Sequence, residues 1–104
     1  MPAQLFFVRL IGNRPNFAAT MTAEELAAMR AHVEYMKDQL AAGTLVVAGP
    51  VLDPAGVFGM GVFEAETLEE VKAIVARDPA GRVGRHEILP MGPSSVRPAR
   101  PVGP

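Results

Sequence analysis

The stretch Thr22 to Ala42, TAEELAAMRAHVEYMKDQLAA, decides the reading of this chain. Thr22 and Glu25, three residues apart, form a capping box in which each side chain satisfies a backbone N–H of the first turn. Glu24 and Glu25 carry negative charge where the helix dipole favours it. Leu26, Met29, Val33, Met36 and Leu40 recur at steps of three and four, the spacing of one apolar helix face. Gly43 is placed to end the helix in a left-handed conformation. The spacing therefore predicts a long helix over 22–42 whose apolar stripe faces the core. At about 100° per residue, His32 falls roughly 80° from the mean direction of that stripe. Such a margin position lets an imidazole face a cleft from a rigid backbone. It also suits an amphipathic side chain at the edge of the core with its polar tip in water.

Outward from this helix, short apolar runs alternate with turn signals. Gln4 to Ile11 is nearly unbroken in its apolar character apart from Arg9 and reads as a strand buried on both faces. Gly12 to Met21 is a loop marked by Gly12, Asn13 and Pro15. Leu45 to Leu52 is a second strand. Asp53-Pro54-Ala55-Gly56 fits a type I turn, and Val57 to Glu64 is a third strand, completing a hairpin. Gly59 and Gly61 in that strand suggest a bulge or a close approach by ligand or backbone. A second capping box, Thr67 with Glu70, opens a shorter helix with Leu68, Val71, Ile74 and Val75 on its apolar face. Asp78-Pro79-Ala80-Gly81 breaks it, and Val83 to Met91 is the fourth strand. From Gly92 the chain is rich in Pro, Gly, Arg and Ser without periodicity. The expected organisation is one domain over 1–91 and a Pro-rich tail over 92–104.

The order strand, helix, strand, strand, helix, strand is the ferredoxin-like arrangement: an α+β fold with a four-stranded antiparallel sheet and two helices on one face. The strands look apolar on both faces, so one sheet face is left bare. A bare apolar face of that size marks an association site, and the simplest solution is a two-fold homodimer through the sheet faces. Further assembly into a higher oligomer stays open.

Composition narrows the chemistry. A formal net charge of -1 in 104 residues suggests neither nucleic acid nor an anionic membrane as a partner. The chain has no cysteine, which removes disulfides, thiolate nucleophiles and cysteine-based zinc sites. No apolar run approaches a membrane span, and Met1-Pro2-Ala3-Gln4 lacks the basic region of a signal peptide. A soluble, cytoplasmic protein is the expectation. No phosphate-binding loop, ligand-spaced histidine cluster or nucleophile elbow is present. No metal and no cofactor is therefore expected, a lone histidine ligand to haem being a poor basis for one. What remains is acid–base work by an imidazole and a carboxylate.

There are two histidines. His32, on the rigid helix, is the better candidate, whereas His86 reads as an exposed or edge side chain of the last strand. Asp78 stands just past a helix C-terminus, where the dipole disfavours negative charge and tends to raise its pKa. However, Asp78 to Gly81 repeats the tetrapeptide Asp53 to Gly56, and spacing alone prefers neither aspartate.

Arg30-Ala31-His32 and Tyr35, then Ala48-Gly49-Pro50, Asp78-Pro79 and Glu87-Ile88-Leu89-Pro90, together resemble the YCII-related family over about residues 4 to 91. The resemblance implies a dimeric α/β barrel, a ferredoxin-like protomer whose sheets pair across a dimer. It also implies kinship with small enzymes of aromatic degradation, including a dehydrochlorinase, and a catalytic His–Asp pair. Carried over, that pair is His32 and Asp78. Two features depart from the family pattern: Ala80 and Gly81 follow Asp-Pro where many members have an aromatic residue, and the tail extends past the family core.

The leading expectation is a small cofactor-free enzyme, a lyase or isomerase, in which His32 moves a proton on a small aromatic or enolic substrate and Asp78 orients it. The pocket is expected between the sheet and the first helix, lined by Phe6, Val8 and Met60. Arg30 is a candidate for an anionic substrate group, although helix spacing sets it about 200° from His32. The alternative is a non-catalytic dimeric module that binds a small ligand or a protein.

Overall fold

A computed structural model describes residues 3–98. The elements follow in the order β1 (Gln4–Gly12), α1 (Ala23–Ala42), β2 (Leu45–Val51), β3 (Phe58–Ala65), α2 (Leu68–Ala76) and β4 (Gly84–Pro90). Two short 3-10 helices, Phe17–Ala19 and Pro79–Arg82, precede α1 and β4. The four strands form one sheet in the order β2-β3-β1-β4, with every neighbouring pair antiparallel. This is the ferredoxin-like βαββαβ fold, with both helices packed on the same sheet.

The helix ends follow from local chemistry. Thr22 and Glu25 make both arms of their capping box, and Gly43 ends α1 at φ 82, in the left-handed region that glycine enters without a Cβ clash. Thr67 caps α2 by accepting from Glu70 N–H, but the return arm is different. Glu70 reaches back one residue further and accepts from Glu66 N–H at 3.2 Å.

Register divides the sheet into two faces. Phe6, Val8 and Leu10 on β1 share a face with Phe63, Gly61 and Gly59 on β3 and with Ile88 and His86 on β4. That face is covered by the helices. Phe6, Val8, Phe63, Leu45, Ala65 and Val71 form the core there. The opposite face carries Phe7, Arg9 and Ile11 with Val62 and Met60, all partly exposed. The bulge suggested by the β3 glycines lies instead on the partner strand, where the register shifts between Leu45 and Val47. What approaches the β3 glycines closely is not backbone but side chains. A Cβ on Gly59 would crowd Leu10 and one on Gly61 would crowd Leu45.

The apolar stripe of α1 faces the core only in part: Met29 and Met36 are half-buried and Met36 packs against the core cluster. None of the residues of α1 is fully buried, and Leu26, Val33 and Leu40 are exposed at 39%, 49% and 45%. The half-buried side of the helix runs through Ala28, Met29, His32, Tyr35, Met36 and Gln39, three of them polar. These polar side chains can face inward because each finds a partner. His32 bonds Asp78, Tyr35 Oη donates to Ile74 O at 2.7 Å, and Gln39 accepts from Thr44 Oγ1 at 2.6 Å. His32 thus lies on the packed side beside Met29 and Met36, nearer its middle than the sequence expectation placed it, while Leu26, Val33 and Leu40 turn away.

Beyond β4, residues 91–98 form neither helix nor strand, and the rest of the expected tail, 99–104, lies outside the described residues. No described helix is long and apolar enough to cross a membrane.

Candidate functional site

The site is assembled from three elements. α1 brings His32, the junction after α2 brings Asp78, and β4 brings His86. Asp78 is the N-cap of the second 3-10 helix and its Oδ1 accepts from Ala80 N–H at 2.9 Å. Pro79 occupies the first position of that turn, where its missing N–H is no loss. The carboxylate is thereby aimed by its own backbone before any long-range contact forms.

Two imidazoles converge on it. His32 Nδ1 lies 2.8 Å from Asp78 Oδ1 and 2.9 Å from Oδ2. His86 Nε2 lies 3.0 Å from Oδ2. Asp78 is the buried charged residue of the described chain, its side chain only 2% exposed, against 17% for His32 and 11% for His86.

Burial alone would push the Asp78 carboxyl up. Hydrogen bonds from His32, His86 and the Ala80 N–H, together with the charge of His32, outweigh burial and hold it well below the usual carboxylate range. A position just past a helix C-terminus disfavours the charge and needs an offsetting partner; the imidazoles of His32 and His86, with the Ala80 N–H, supply it.

An ionised carboxylate only accepts hydrogen bonds. Both ring nitrogens facing it therefore carry hydrogen. In neutral His32 the proton is on Nδ1, and Nε2 keeps its lone pair. His32 Nε2 and His86 Nδ1 make no hydrogen bond to the described residues, and neither is a buried orphan.

A cleft of about 520 Å³ opens beside this cluster, between α1 and the sheet. Met29, Val33, Met36 and Leu40 of the apolar stripe form one wall, with His32 beside them. Val8, Leu10, Ala48, Pro50 and the backbone at Gly59 and Gly61 form the other. Both His86 and Asp78 border the cleft, as does Lys37. The arrangement can accept a proton at a ring nitrogen in apolar surroundings. Among the described residues, no group of three or more His, Cys, Asp or Glu side chains is placed to hold a metal ion. The ring nitrogens that face Asp78 are at hydrogen-bond distance from it.

The other candidates fall in different places. Val8 lines the cleft. Phe6 is only 1% exposed, filling the core behind the cleft instead of lining it. Met60 borders the cleft but pairs with Arg9 in the register of the opposite face. Arg30 is exposed on the far side of α1 and does not line the cleft, because its position projects away from His32.

His86 stands on the edge strand β4, as expected of an edge side chain, but it is not exposed: its side chain is 11% accessible and turned to the helix face. A period-two signal for it was present: on β4, Arg85 and Glu87 share one face, whereas His86 and Ile88 share the other, opposite Leu10 and Val8. Tyr35, a member of the motif on α1, ties that helix to α2 through its bond to Ile74 O.

The YCII-related domain profile matches residues 5–93, and the chain belongs to that family. Among solved structures, the chain is similar to the 5-chloro-2-hydroxyhydroquinone dehydrochlorinase of Burkholderia phenoliruptrix AC1100, solved in complex with 2,5-dihydroxybenzoquinone. Identity is 22%, the TM-score is 0.56, and the likeness covers 80% of this chain and 89% of that one. It shows a shared fold. A dimeric ferredoxin-like protein from an uncultured marine organism is also similar, at 13% identity and a TM-score of 0.47, over 94% of this chain and 95% of that one. No curated protein matches.

Proposed function

We propose that this YCII-related protein is a small enzyme that moves a proton on a small conjugated substrate, aromatic or enolic, as an isomerase or lyase without a cofactor. One observation carries the reading: His32 is clamped through Nδ1 to the buried Asp78 carboxylate, leaving Nε2 free beside an apolar cleft. In that role His32 Nε2 is the general base. Asp78 fixes the tautomer and stabilises the imidazolium that forms. Val8 and the methionine wall of α1 hold the substrate by its apolar faces.

The dehydrochlorinase of similar fold acts on a hydroxylated ring, so 5-chloro-2-hydroxyhydroquinone and related enols are the first probes. Turnover of a responsive probe should fall at least about 100-fold in His32→Ala, the low end of what a positioned base contributes. Unchanged turnover would sink the proposal. Binding of a probe without turnover, equally strong in wild type and His32→Ala, would favour a non-catalytic ligand-binding module instead. The pairing has its own test, NMR titration of the His32 ring. Asp78→Asn should lower the His32 pKa by removing the opposite charge.

The assembly proposed is a homodimer through the uncovered sheet face. Phe7, Ile11, Met60 and Val62 are partly exposed there, with Leu89 at 52%. The guanidinium of Arg9 stacks over Phe58 at 4.7 Å, and its Nε is buried with no partner among the described residues. Such a face is stabilised by a second copy of itself. Light scattering should give twice the protomer mass, and Val62→Arg should shift it towards the monomer. A monomeric wild type would rule the dimer out.

A further inference from the structure

The proton chemistry proposed above uses one imidazole, but Asp78 holds two. We propose that His86 is the second proton carrier of this site, so that His32, Asp78 and His86 together hold one mobile proton and His86 serves as acid when His32 serves as base. The inference rests on the reading of His32 as the base.

Geometry makes the case. Both rings direct an N–H at the same carboxylate, at 2.8 Å and 3.0 Å, and both border the same cleft. Each keeps its second nitrogen free of protein partners among the described residues. A single carboxylate balances a single imidazolium. A second one, at side-chain exposures of 17% and 11%, would be a poorly solvated charge with nothing to offset it.

The remaining charges around the cluster do not supply that offset. On α1 the neighbours are the neutral Tyr35 phenol and the cationic Lys37, which pairs with Glu34 at 3.1 Å in solvent. The junction after α2 adds Arg77, and the turn after Asp78 adds the exposed Arg82. On β4, Arg85 and Glu87 point to the opposite face and pair with each other. The cleft-lining positions of β1, β2 and β3 are apolar or glycine.

The count then closes through a reaction. The singly protonated cluster shares its proton between the two rings; in the form that reacts the proton is on His86, His32 is neutral with Nε2 free, Asp78 is ionised, and the cluster is neutral overall. His32 Nε2 takes a proton from the substrate, and the electron pair of the broken bond moves through the conjugated system. His86 Nδ1 delivers its proton where that pair arrives: the remote atom in an isomerisation, the leaving group in an elimination. Afterwards His32 is the imidazolium, His86 is neutral, and the cluster is still neutral. Exchange with solvent after product release restores the first state.

The test is an NMR titration of both imidazole rings in the full chain, for wild type, His86→Gln and Asp78→Asn. Glutamine keeps an N–H donor for Asp78 but does not titrate. In wild type, both rings should report the same two steps, separated by more than about one pH unit. In His86→Gln, His32 should collapse to one step. A single His32 step in wild type overturns the proposal, and that result needs no variant to fold. If Asp78→Asn lowers the His32 pKa but His86→Gln changes nothing, the shared proton is overturned and the His32–Asp78 pair survives. If His32 responds to neither substitution, both readings fall.

Discussion

The chain contains the tetrapeptide Asp-Pro-Ala-Gly twice, at residues 53–56 and 78–81. The two copies close the same turn, although Gly56 leaves it at φ 154 whereas Gly81 continues into the 3-10 helix Pro79–Arg82. In each, the aspartate carboxylate accepts from the N–H two residues on, at 2.9 Å for Ala55 and 2.9 Å for Ala80. In each, the glycine N–H closes the turn on the aspartate carbonyl, at 2.9 Å and 3.0 Å. Their surroundings differ completely. Asp53 stands in solvent at a hairpin tip, whereas Asp78 lies under α1 and beside β4, where two histidines meet it. The turn is a property of the tetrapeptide. The site is a property of what the fold packs against one copy.

Removing the two carboxylates separately should break that comparison most sharply. Asp78→Ala strands two imidazole donors and the Ala80 N–H in a buried setting. It should cost about 3 kcal/mol in chemical denaturation, the scale for breaking a buried pair from one side. The same pair gives a pH signature. Because the Asp78 carboxyl is held below its ordinary range, its stabilising contribution is present in full above the unfolded aspartate pKa. It is lost as pH falls below that value towards the depressed one. Stability of the wild type should therefore fall in acid more steeply than that of Asp78→Asn. Parallel curves would show that the carboxylate charge is not engaged.

At the other copy, Asp53→Ala removes one exposed side-chain hydrogen bond and should cost only about 0.5–1 kcal/mol, with no effect on the His32 titration. A loss at Asp53 equal to that at Asp78 would mean that turn formation, not the buried cluster, dominates both.

Glu25 offers a contrast among acidic groups. Hydrogen bonds from Arg14 and then from the Thr22 N–H lower its pKa to about 2. That carboxylate serves the entrance to α1, and its capping role is legible in the sequence, whereas its bond to Arg14, eleven positions away, is not. Asp78 was legible only as a turn. Its pairing with His32 came from a likeness to a family, since the two residues are 46 positions apart and no local rule connects them.

Local sequence signals set the elements of this protein, their order and most of their ends. Those features are written in short-range chemistry: Thr22 with Glu25, Gly43 in its left-handed conformation, and the two Asp-Pro-Ala-Gly turns. Local signals also give the sheet two apolar faces, because period-two alternation is a local property. The rotation of α1 depends on long-range contacts. Its apolar stripe predicts burial, but the inward side also carries His32, Tyr35 and Gln39, held by polar partners from Asp78, α2 and Thr44. That rotation makes the stripe one wall of a cleft and carries His32 to the carboxylate. Long-range contacts likewise decide that Asp78 and not Asp53 meets the histidines, because the tetrapeptides are identical in sequence and only the rest of the chain sets what is placed beside them.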